Sequence, residues 1–238
     1  MTLPGAERIQ AAIRVTWPPS ALLHSGPFDL PAETSGSRRA TSARLRPGAT
    51  ATVADIAAVE ALRPGTIFGT TDGVEDDLAR TLAAEGYRDE GISDLMAGPV
   101  APLVGDLPRV SGFAHWPPLA ICDALWEAHG NPPPRRVPMH LAPEPRTAIL
   151  LRANDRAAGA LFVGIHDGLA VLHMVLTLPA HRRQGVGLLG IRHAANWARD
   201  HGADHIVLPV EADNIAATTL YARAGLVRQG GYRYWRRQ

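Results

Sequence analysis

The stretch HRRQGVGLLG, residues 181–190, constrains the fold of this chain more than any other segment. It follows an apolar run, residues 169–178. It also contains the start of residues 186–203, in which apolar side chains recur at helical spacing. Strand, glycine-containing turn and helix in this order predict an α/β fold. The first amides of a helix are unpaired and lie at the positive end of its dipole, so this turn is a candidate phosphate site.

Two glycine patterns overlap in this stretch. Gly185, Gly187 and Gly190 fit G-x-G-x-x-G, which is typical of dinucleotide turns. Arg182, Gly185 and Gly187 fit R-x-x-G-x-G, which indicates coenzyme A. The dinucleotide pattern is disfavoured, because residues 179–184 separate the glycines from the strand and too few residues follow for the remaining strands of that fold. The alternative to both is a tight turn that holds no phosphate.

Periodicity and turn residues divide the rest of the chain into short elements. Antiparallel strands followed by a strand–helix–strand crossover predict a mixed sheet in the second half. A Gly- and Pro-rich segment, residues 98–112, is interpreted as a linker. The predicted strands are 39–47, 147–154, 157–168, 169–178, 205–210 and 232–235, and the predicted helices are 53–62, 74–86, 117–130, 186–203 and 214–225.

Two faint repeats suggest that the chain contains two related units. TWPPSALL from Thr16 is echoed by HWPPLAIC from His115, and LAAEGYRDEG (82–91) is echoed by LYARAGLVRQG (220–230). The alternative is chance similarity between short segments. The first unit lacks a glycine turn like that at 185–187, so we expect it to bind no phosphate and to shape or cover the second.

Composition excludes several classes of function. Lysine and arginine total 24 against 23 acidic residues, a net charge of +1, so no nucleic-acid partner is expected. Cys122, the one cysteine, excludes an intrachain disulfide and is expected to be buried, and no Cys/His cluster has the spacing of a metal site. No apolar run is long enough for a membrane span or typical of a signal peptide, so a cytoplasmic location is expected.

From Thr147 onward the sequence resembles the GNAT superfamily of acyl-CoA-dependent N-acetyltransferases. The motifs that carry the resemblance are LTLPAHRRQGVG, HIVLPVEADN and AATTLYARAGL, including Asn214, Ala217, Leu220 and Tyr221. The resemblance implies a GNAT fold, an α/β (α+β) arrangement with a mixed, mostly antiparallel sheet flanked by helices. The whole chain is similar to members with two tandem GNAT-like units, which implies a degenerate GNAT-like N-terminal domain over 1–105 and a catalytic GNAT N-acetyltransferase domain over 106–238.

The resemblance also implies roles for individual residues, with acetyl-CoA as co-substrate and no metal. Tyr221 would act as the general acid toward the departing thiolate, and the amide of Val175 would polarise the thioester carbonyl. Asn214 would contact the coenzyme or cap the next helix. The cofactor-binding residues implied are Val175, Leu176, Thr177, Arg182, Arg183, Gln184, Gly185, Val186, Gly187, Leu188, Asn214 and Tyr221.

The general base is less well defined by the sequence. Pro209 stands where some members that acetylate protein N-termini place a glutamate, which counts against a peptide N-terminus, and a proline here predicts a local break in strand pairing. His173 shares strand parity with Val171 and Val175 and is the catalytic candidate for proton removal. Glu211 and water are the alternatives.

The function expected is transfer of an acetyl group from acetyl-CoA to a primary amine of a small molecule or peptide. The alternative is a non-catalytic acyl-CoA-binding or regulatory module, which the missing carboxylate favours. Arg135 and Arg136 are candidates to attract an acidic substrate, or are plain surface charges. The protein is expected to be a monomer or a homodimer, and the segment YRYWRRQ is a candidate strand for pairing across a dimer.

Overall fold

The computed structural model of the protein describes residues 2–32 and 36–237. Within these ranges it contains eight α-helices and eleven strands, with two short 3₁₀ turns at Ala101–Leu103 and Pro179–His181. The helices are α1 Ala6–Thr16, α2 Arg38–Thr41, α3 Val53–Leu62, α4 Asp76–Ala84, α5 Ala120–Ala128, α6 Pro133–Leu141, α7 Val186–Asp200 and α8 Ile215–Arg223. The strands are β1 Leu22–Ser25, β2 Phe28–Pro31, β3 Ala43–Leu45, β4 Phe68–Thr71, β5 Tyr87–Pro99, β6 Gly112–His115, β7 Arg146–Ala153, β8 Arg156–His166, β9 Leu169–Thr177, β10 His205–Glu211 and β11 Val227–Arg237.

All described strands form one sheet, in the order β1-β2-β3-β4-β11-β5-β10-β9-β8-β7-β6. Apart from the edge strand β6, the succession of antiparallel and parallel pairs is the same when the sheet is followed inward from either edge. In the first half β1, β2 and β3 are antiparallel and β3 pairs β4 in parallel; in the second half β7, β8 and β9 are antiparallel and β9 pairs β10 in parallel. The two halves exchange their last strands: β5 of the first half pairs with β10 of the second, and β11 of the second half pairs with β4 of the first. Strands β5 and β11 also pair with each other. The expected mixed, mostly antiparallel sheet with two similar halves is confirmed.

The two sequence repeats have different structural meanings. The glycine-ended helices α4 and α8 precede the exchanged strands β5 and β11, with Gly86 and Gly225 both at positive φ (83° and 84°), so these segments are equivalent. The Trp-Pro-Pro segments are not equivalent, because Trp17 follows a helix and Trp116 follows a strand. Both indoles instead pack against Phe162, with ring centroids 5.9 and 5.6 Å away.

Helices cover both faces of the sheet. On one face α7 and α8 pack over β7–β10 in a cluster that includes Leu172, and α3 and α4 pack over β2–β5. On the other face α1 lies against the middle of the sheet, where it contacts Val171, while α5 and α6 cover β7 and β8. Helix α1 was not predicted, although Ile9, Ala12 and Ile13 show the apolar spacing of a helix and are all buried.

Local signals account for many element boundaries. Helix α3 has the predicted bounds because Thr52 and Asp55 form a capping box. The prediction of a strand over 39–47 is wrong at its start: Ser37 caps the short helix α2, and β3 begins only at Ala43.

Two segments lie in different surroundings from those expected. Residues 98–112 are not a free linker, since β5 extends to Pro99 and the backbone of Gly105 exchanges hydrogen bonds with Asn196 on α7 at 3.1 and 2.9 Å.

Strand β11 is paired on both sides, by β4 and β5, so the suggestion that it pairs across a dimer is wrong.

Candidate active site

The centre of the site is a gap between two parallel strands. Strands β9 and β10 pair only from Leu169 to Val171 and from His205 to Val207, and beyond these residues they separate. Pro209 does not interrupt β10, which stays in register with β5 to its end. The predicted break in pairing is therefore on the β9 side alone, and it begins before the proline.

A β-bulge lies on β9 beside this gap. Phe162 pairs with His173 and Ala160 pairs with Leu176, so Met174 and Val175 together lie opposite Leu161. Met174 has a φ of 53°, and its carbonyl accepts a 2.9 Å hydrogen bond from the buried indole Nε1 of Trp126. This bond holds the bulge in place from α5.

The bulge reverses the side to which the following residues point. His173 and Met174 both lie on the face covered by α1 and α5, whereas Val175 packs against the cluster beneath α7. The expectation that His173 and Val175 share a face is therefore wrong, because strand parity does not continue through an inserted residue.

His173 is buried, with 3% of its surface exposed, and both its ring nitrogens have partners. Nε2 lies 2.9 Å from Oγ1 of Thr16, whose own hydrogen is donated to the carbonyl of Ala12 at 2.8 Å, so Nε2 is the protonated nitrogen. Nδ1 accepts from Nη1 of Arg39 at 3.0 Å. Burial, and then the charge of Arg39, holds the pKa of His173 well below its usual value, so the ring is neutral.

Tyr221 on α8 reaches the gap from the other face of the sheet. Its side chain is 5% exposed, and burial raises the pKa of its phenol to about 12, which keeps the proton in place at neutral pH. Tyr221, Met174 and Val175 line one cavity of about 390 Å³ that passes between the two strands. A proton donor and a bulged strand therefore share one space.

The glycine turn opens α7 as predicted, but its two glycines differ in purpose. Gly185 precedes the helix with a φ of 82°, and an added Cβ would meet no atom within 4 Å, so glycine is needed there for the backbone conformation. At Gly187 an added Cβ would lie 2.6 Å from Cδ2 of Leu220. Gly187 thus permits close packing of α7 on α8.

The remaining residues predicted to bind the coenzyme lie around this turn. Arg182, Arg183 and Gln184 are exposed, and Nε of Arg182 donates to the carbonyl of Thr177 at 3.4 Å. Val186 is buried in the core beneath α7, while Leu188 is 40% exposed.

Asn214 caps α8. Its Oδ1 accepts from the amide of Ala217 at 3.2 Å, which is one of the two roles considered for it. It also lines the cavity near its mouth.

The residues on the far side of the cavity were not predicted from the sequence. Arg39, Tyr232 and Tyr234 line it, and the alternation of the two tyrosines along β11 is the signal that places them on one face. Burial works against ionisation of Tyr232, but the charge of Arg39, hydrogen bonds with Ser93 and Tyr234 and the charge of Arg44 together outweigh it and lower the pKa of this phenol.

Of the charged residues considered from the sequence, Arg135 and Glu211 line the cavity and Arg136 does not. Arg135 lines the cavity, but Arg136 is buried, 3.3 Å from Asp123 on α5, and is therefore neither a surface charge nor a substrate contact. Glu211 lies at the cavity rim with its side chain 66% exposed, 3.8 Å from Arg38.

Over residues 2–32 and 36–237, no group of three or more His, Cys, Asp or Glu side chains is arranged to hold a metal ion. In the same ranges no helix combines the length and apolar character needed to cross a bilayer.

Cys122 is buried as expected, and burial, followed by the charge of Asp123, raises the pKa of its thiol to about 11.

Comparison with known proteins agrees with this geometry. The model of the Acetyltransferase (GNAT) family matches residues 119–226. Streptothricin acetyltransferase of Streptomyces lavendulae is 33% identical over 82 residues, 34% of this chain and 43% of that protein. The matches span 26% and 43% of the lengths of the two curated relatives found.

Solved structures extend the similarity of fold to nearly the whole chain. A GCN5-related N-acetyltransferase from Kribbella flavida superposes with a TM-score of 0.72 at 22% identity, covering 98% of this chain and 95% of that one. A tandem GNAT protein from the clavulanic acid biosynthesis pathway gives a TM-score of 0.62 at 16% identity, covering 94% and 85%. Residues 119–226 match the Acetyltransferase (GNAT) family in sequence, and nearly the whole chain shares its fold with a GCN5-related N-acetyltransferase.

Proposed function

We propose that the protein is an N-acetyltransferase that transfers an acetyl group from acetyl-CoA to a primary amine by direct attack. One observation carries the proposal: the protonated phenol of Tyr221 and the bulge at Met174 and Val175 line a single cavity between the separated strands β9 and β10.

The free edge of β9 and the turn before α7 suit the coenzyme. Pairing with β10 ends at Val171, so the backbone of Val175, Leu176 and Thr177 is open on that side to a pantetheine arm. The amides of Arg183–Leu188 surround the start of α7, where the helix dipole favours a pyrophosphate. Arg182 and Arg183 would add positive charge there.

Two groups of this chain would stabilise the transfer. The amide of Val175 would donate to the thioester oxygen as the carbonyl carbon becomes tetrahedral. The phenol of Tyr221 would give its proton to the sulfur as the C–S bond breaks and the new C–N bond forms, so that the products are an amide and a free thiol.

His173 is assigned a positioning role in this proposal, in place of the catalytic role predicted from the sequence. Its Nδ1 lone pair is taken by Arg39 and its Nε2 hydrogen by Thr16, so it holds these side chains and has no free site for the proton of the amine. Glu211 at the exposed rim and water at the cavity mouth are the acceptors that the geometry leaves.

The N-terminal half, residues 1–105, is proposed to be a degenerate GNAT-like unit and residues 106–238 the catalytic one. The symmetric strand order supports a shared ancestry of the halves. In the first half β3 leads to α3 through residues 46–52, in which Gly48 is the only glycine, so the turn differs from R-x-x-G-x-G. This half supplies β5, Arg39 and α1 to the site.

The test is calorimetric titration with acetyl-CoA, with NADH as the control, followed by thiol-release assays over a panel of primary amines. Binding of acetyl-CoA alone and turnover with any amine are the expected results. Tight acetyl-CoA binding without turnover across the panel would favour the non-catalytic acyl-CoA-binding module. Binding of NADH alone would show that the glycines form a dinucleotide turn and would refute the proposal.

A further inference from the structure

A second cavity of about 360 Å³ lies in the N-terminal half, between α1 and strands β1 and β2. Its wall is largely apolar and is formed by Ile13, Trp17, Pro18, Pro19 and Leu22 among others. The volume falls within the range of small-molecule sites, which are typically apolar with a few polar groups.

Besides Nε of Arg39, two buried polar groups at this cavity lack hydrogen-bond partners among the residues that the structure describes. Nη1 of Arg44 is one, on a residue only 8% exposed, and Nε2 of Gln10 is the other, on a residue 5% exposed. Nε of Arg44 does have a partner, Oγ of Ser42 at 3.1 Å. Buried donors without acceptors are costly and uncommon in folded proteins, so both groups point to an acceptor that the chain does not supply.

The fold makes room for the Arg44 guanidinium. Arg44 pairs with Gly69 on β4, and a Cβ added at Gly69 would clash with Cζ of Arg44. Glycine within a strand weakens it, so the absence of a side chain at this position has a structural cost and a spatial purpose. The guanidinium also lies over the rings of Tyr232 and Tyr234, 5.4 Å from each centroid, which fixes its position.

No ion pair within 4 Å joins Arg44 to a carboxylate in the described part of the chain, although Asp29 lies opposite it on β2. Asp29 lines the same cavity, but its Oδ1 is 2.8 Å from Nδ1 of His24. Glu75 is 3.7 Å from Arg14, another arginine on this wall. A buried cation without an anion is strongly unfavourable, and a carboxylate in the cavity would remove that cost.

We propose that this cavity is a binding site for a small organic acid. The carboxylate would accept hydrogen bonds from Nη1 of Arg44 and Nε2 of Gln10, and an aromatic or aliphatic body would lie against Trp17 and the two prolines. Charge-assisted bonds to a guanidinium are the stronger kind, and the apolar wall adds burial.

This second cavity shares a wall with the cleft between β9 and β10. Arg39 lines both cavities, and Trp17 stacks on His173 with ring centroids 4.8 Å apart. An occupant of the second cavity would therefore contact the residues that hold His173. The proposal itself does not depend on acetyl transfer, because its test measures binding alone.

The experiment is calorimetric titration of the whole protein with phenylacetate and hexanoate, with phenylacetamide as the uncharged control. The carboxylates are expected to bind, and the amide to bind at least about tenfold more weakly, a difference of about 1.4 kcal/mol. Saturating acetyl-CoA is expected to leave their affinity unchanged. Displacement by acetyl-CoA, equal binding of amide and acid, or absence of carboxylate binding at millimolar concentrations would each overturn the proposal.

Variants locate the site. Arg44→Met and Gln10→Leu are expected to weaken phenylacetate binding, the first by about tenfold or more. Gly69→Ala keeps the charge but displaces the guanidinium, so it is expected to weaken binding too, and it carries the test if Arg44→Met does not fold. Arg80→Met, at an exposed arginine on α4, is the matched control and should bind as the parent does. Unchanged binding in Gly69→Ala and Gln10→Leu would refute the site.

Discussion

The side chain of Leu220 occupies the space that a side chain at Gly187 would need, with only 2.6 Å between Cδ2 and the position of an added Cβ. This contact joins the first turn of α7 to α8 one residue before Tyr221. The glycine of the turn therefore helps to set the distance between the candidate phosphate site and the candidate proton donor.

Gly187→Val is expected to lower the free energy of unfolding by about 1–3 kcal/mol, because the added atoms overpack the α7–α8 contact. Leu220→Ala in the same chain should restore part of that loss by vacating the space. Urea denaturation of the parent, both single variants and the double variant gives the coupling energy. Additive costs would contradict the contact.

Tyr221→Phe is expected to lower kcat by about 10²-fold or more while acetyl-CoA affinity changes little, because the phenol proton is used as the thiolate departs. Steady-state thiol release and calorimetry separate the two effects. Tyr87→Phe is the matched control: that phenol is also buried, but it bonds Glu60 in the N-terminal half, 2.9 Å away, outside the cleft. A full rate in Tyr221→Phe would assign the proton to another donor.

Trp126→Phe removes the hydrogen bond that holds the carbonyl of Met174. The unsatisfied carbonyl should cost about 1–3 kcal/mol of stability. Loss of the bulge geometry is expected to lower kcat by up to about 10²-fold, since misplacement by about 1 Å has effects of this size. Stability and thiol release are measured together, with Trp197→Phe, a half-buried indole stacked on His201, as the control. A rate unchanged in Trp126→Phe would show that the bulge does not need this bond.

The low pKa of His173 predicts a pH-dependent stability. In the unfolded chain a histidine takes up a proton near its ordinary pKa of about 6.5, whereas folded His173 stays neutral to lower pH because of burial and Arg39. The unfolding free energy should thus fall as pH drops below about 6.5, by up to about 1.4 kcal/mol per pH unit from this group.

Urea denaturation at pH 7.5, 6.5 and 5.5 measures that slope. His173→Gln is expected to flatten it between pH 6.5 and 5.5, while the exposed His129→Gln should leave it as in the parent. A parent-like slope in His173→Gln would mean that other groups cause the loss of stability in acid.

Local features of the sequence gave reliable predictions in this chain. The glycine turn, the capping box at Thr52 and the hairpin turn at Asn154 and Asp155, both at positive φ, are encoded within a few residues, and their elements form where expected. The motif around Tyr221 likewise placed a phenol at the gap between β9 and β10.

What the sequence did not show depends on partners far apart in the chain. The one extra residue at Met174 has no signature in apolar alternation, so the face of His173 was assigned wrongly. Arg39 and Tyr232 meet only because β11 lies beside the N-terminal strands, and an apolar strand pattern does not specify which neighbour it will have.

The exchange of β5 and β11 has a consequence for how the chain reaches its native state. Both neighbours of β5, strands β10 and β11, come from the second half of the sequence, so β5 leaves the ribosome long before either of its edges has a partner. An open strand edge invites intermolecular pairing. Arg88, Asp89, Glu90 and Asp94 place charges along this strand, and charges on an unpaired strand oppose such pairing.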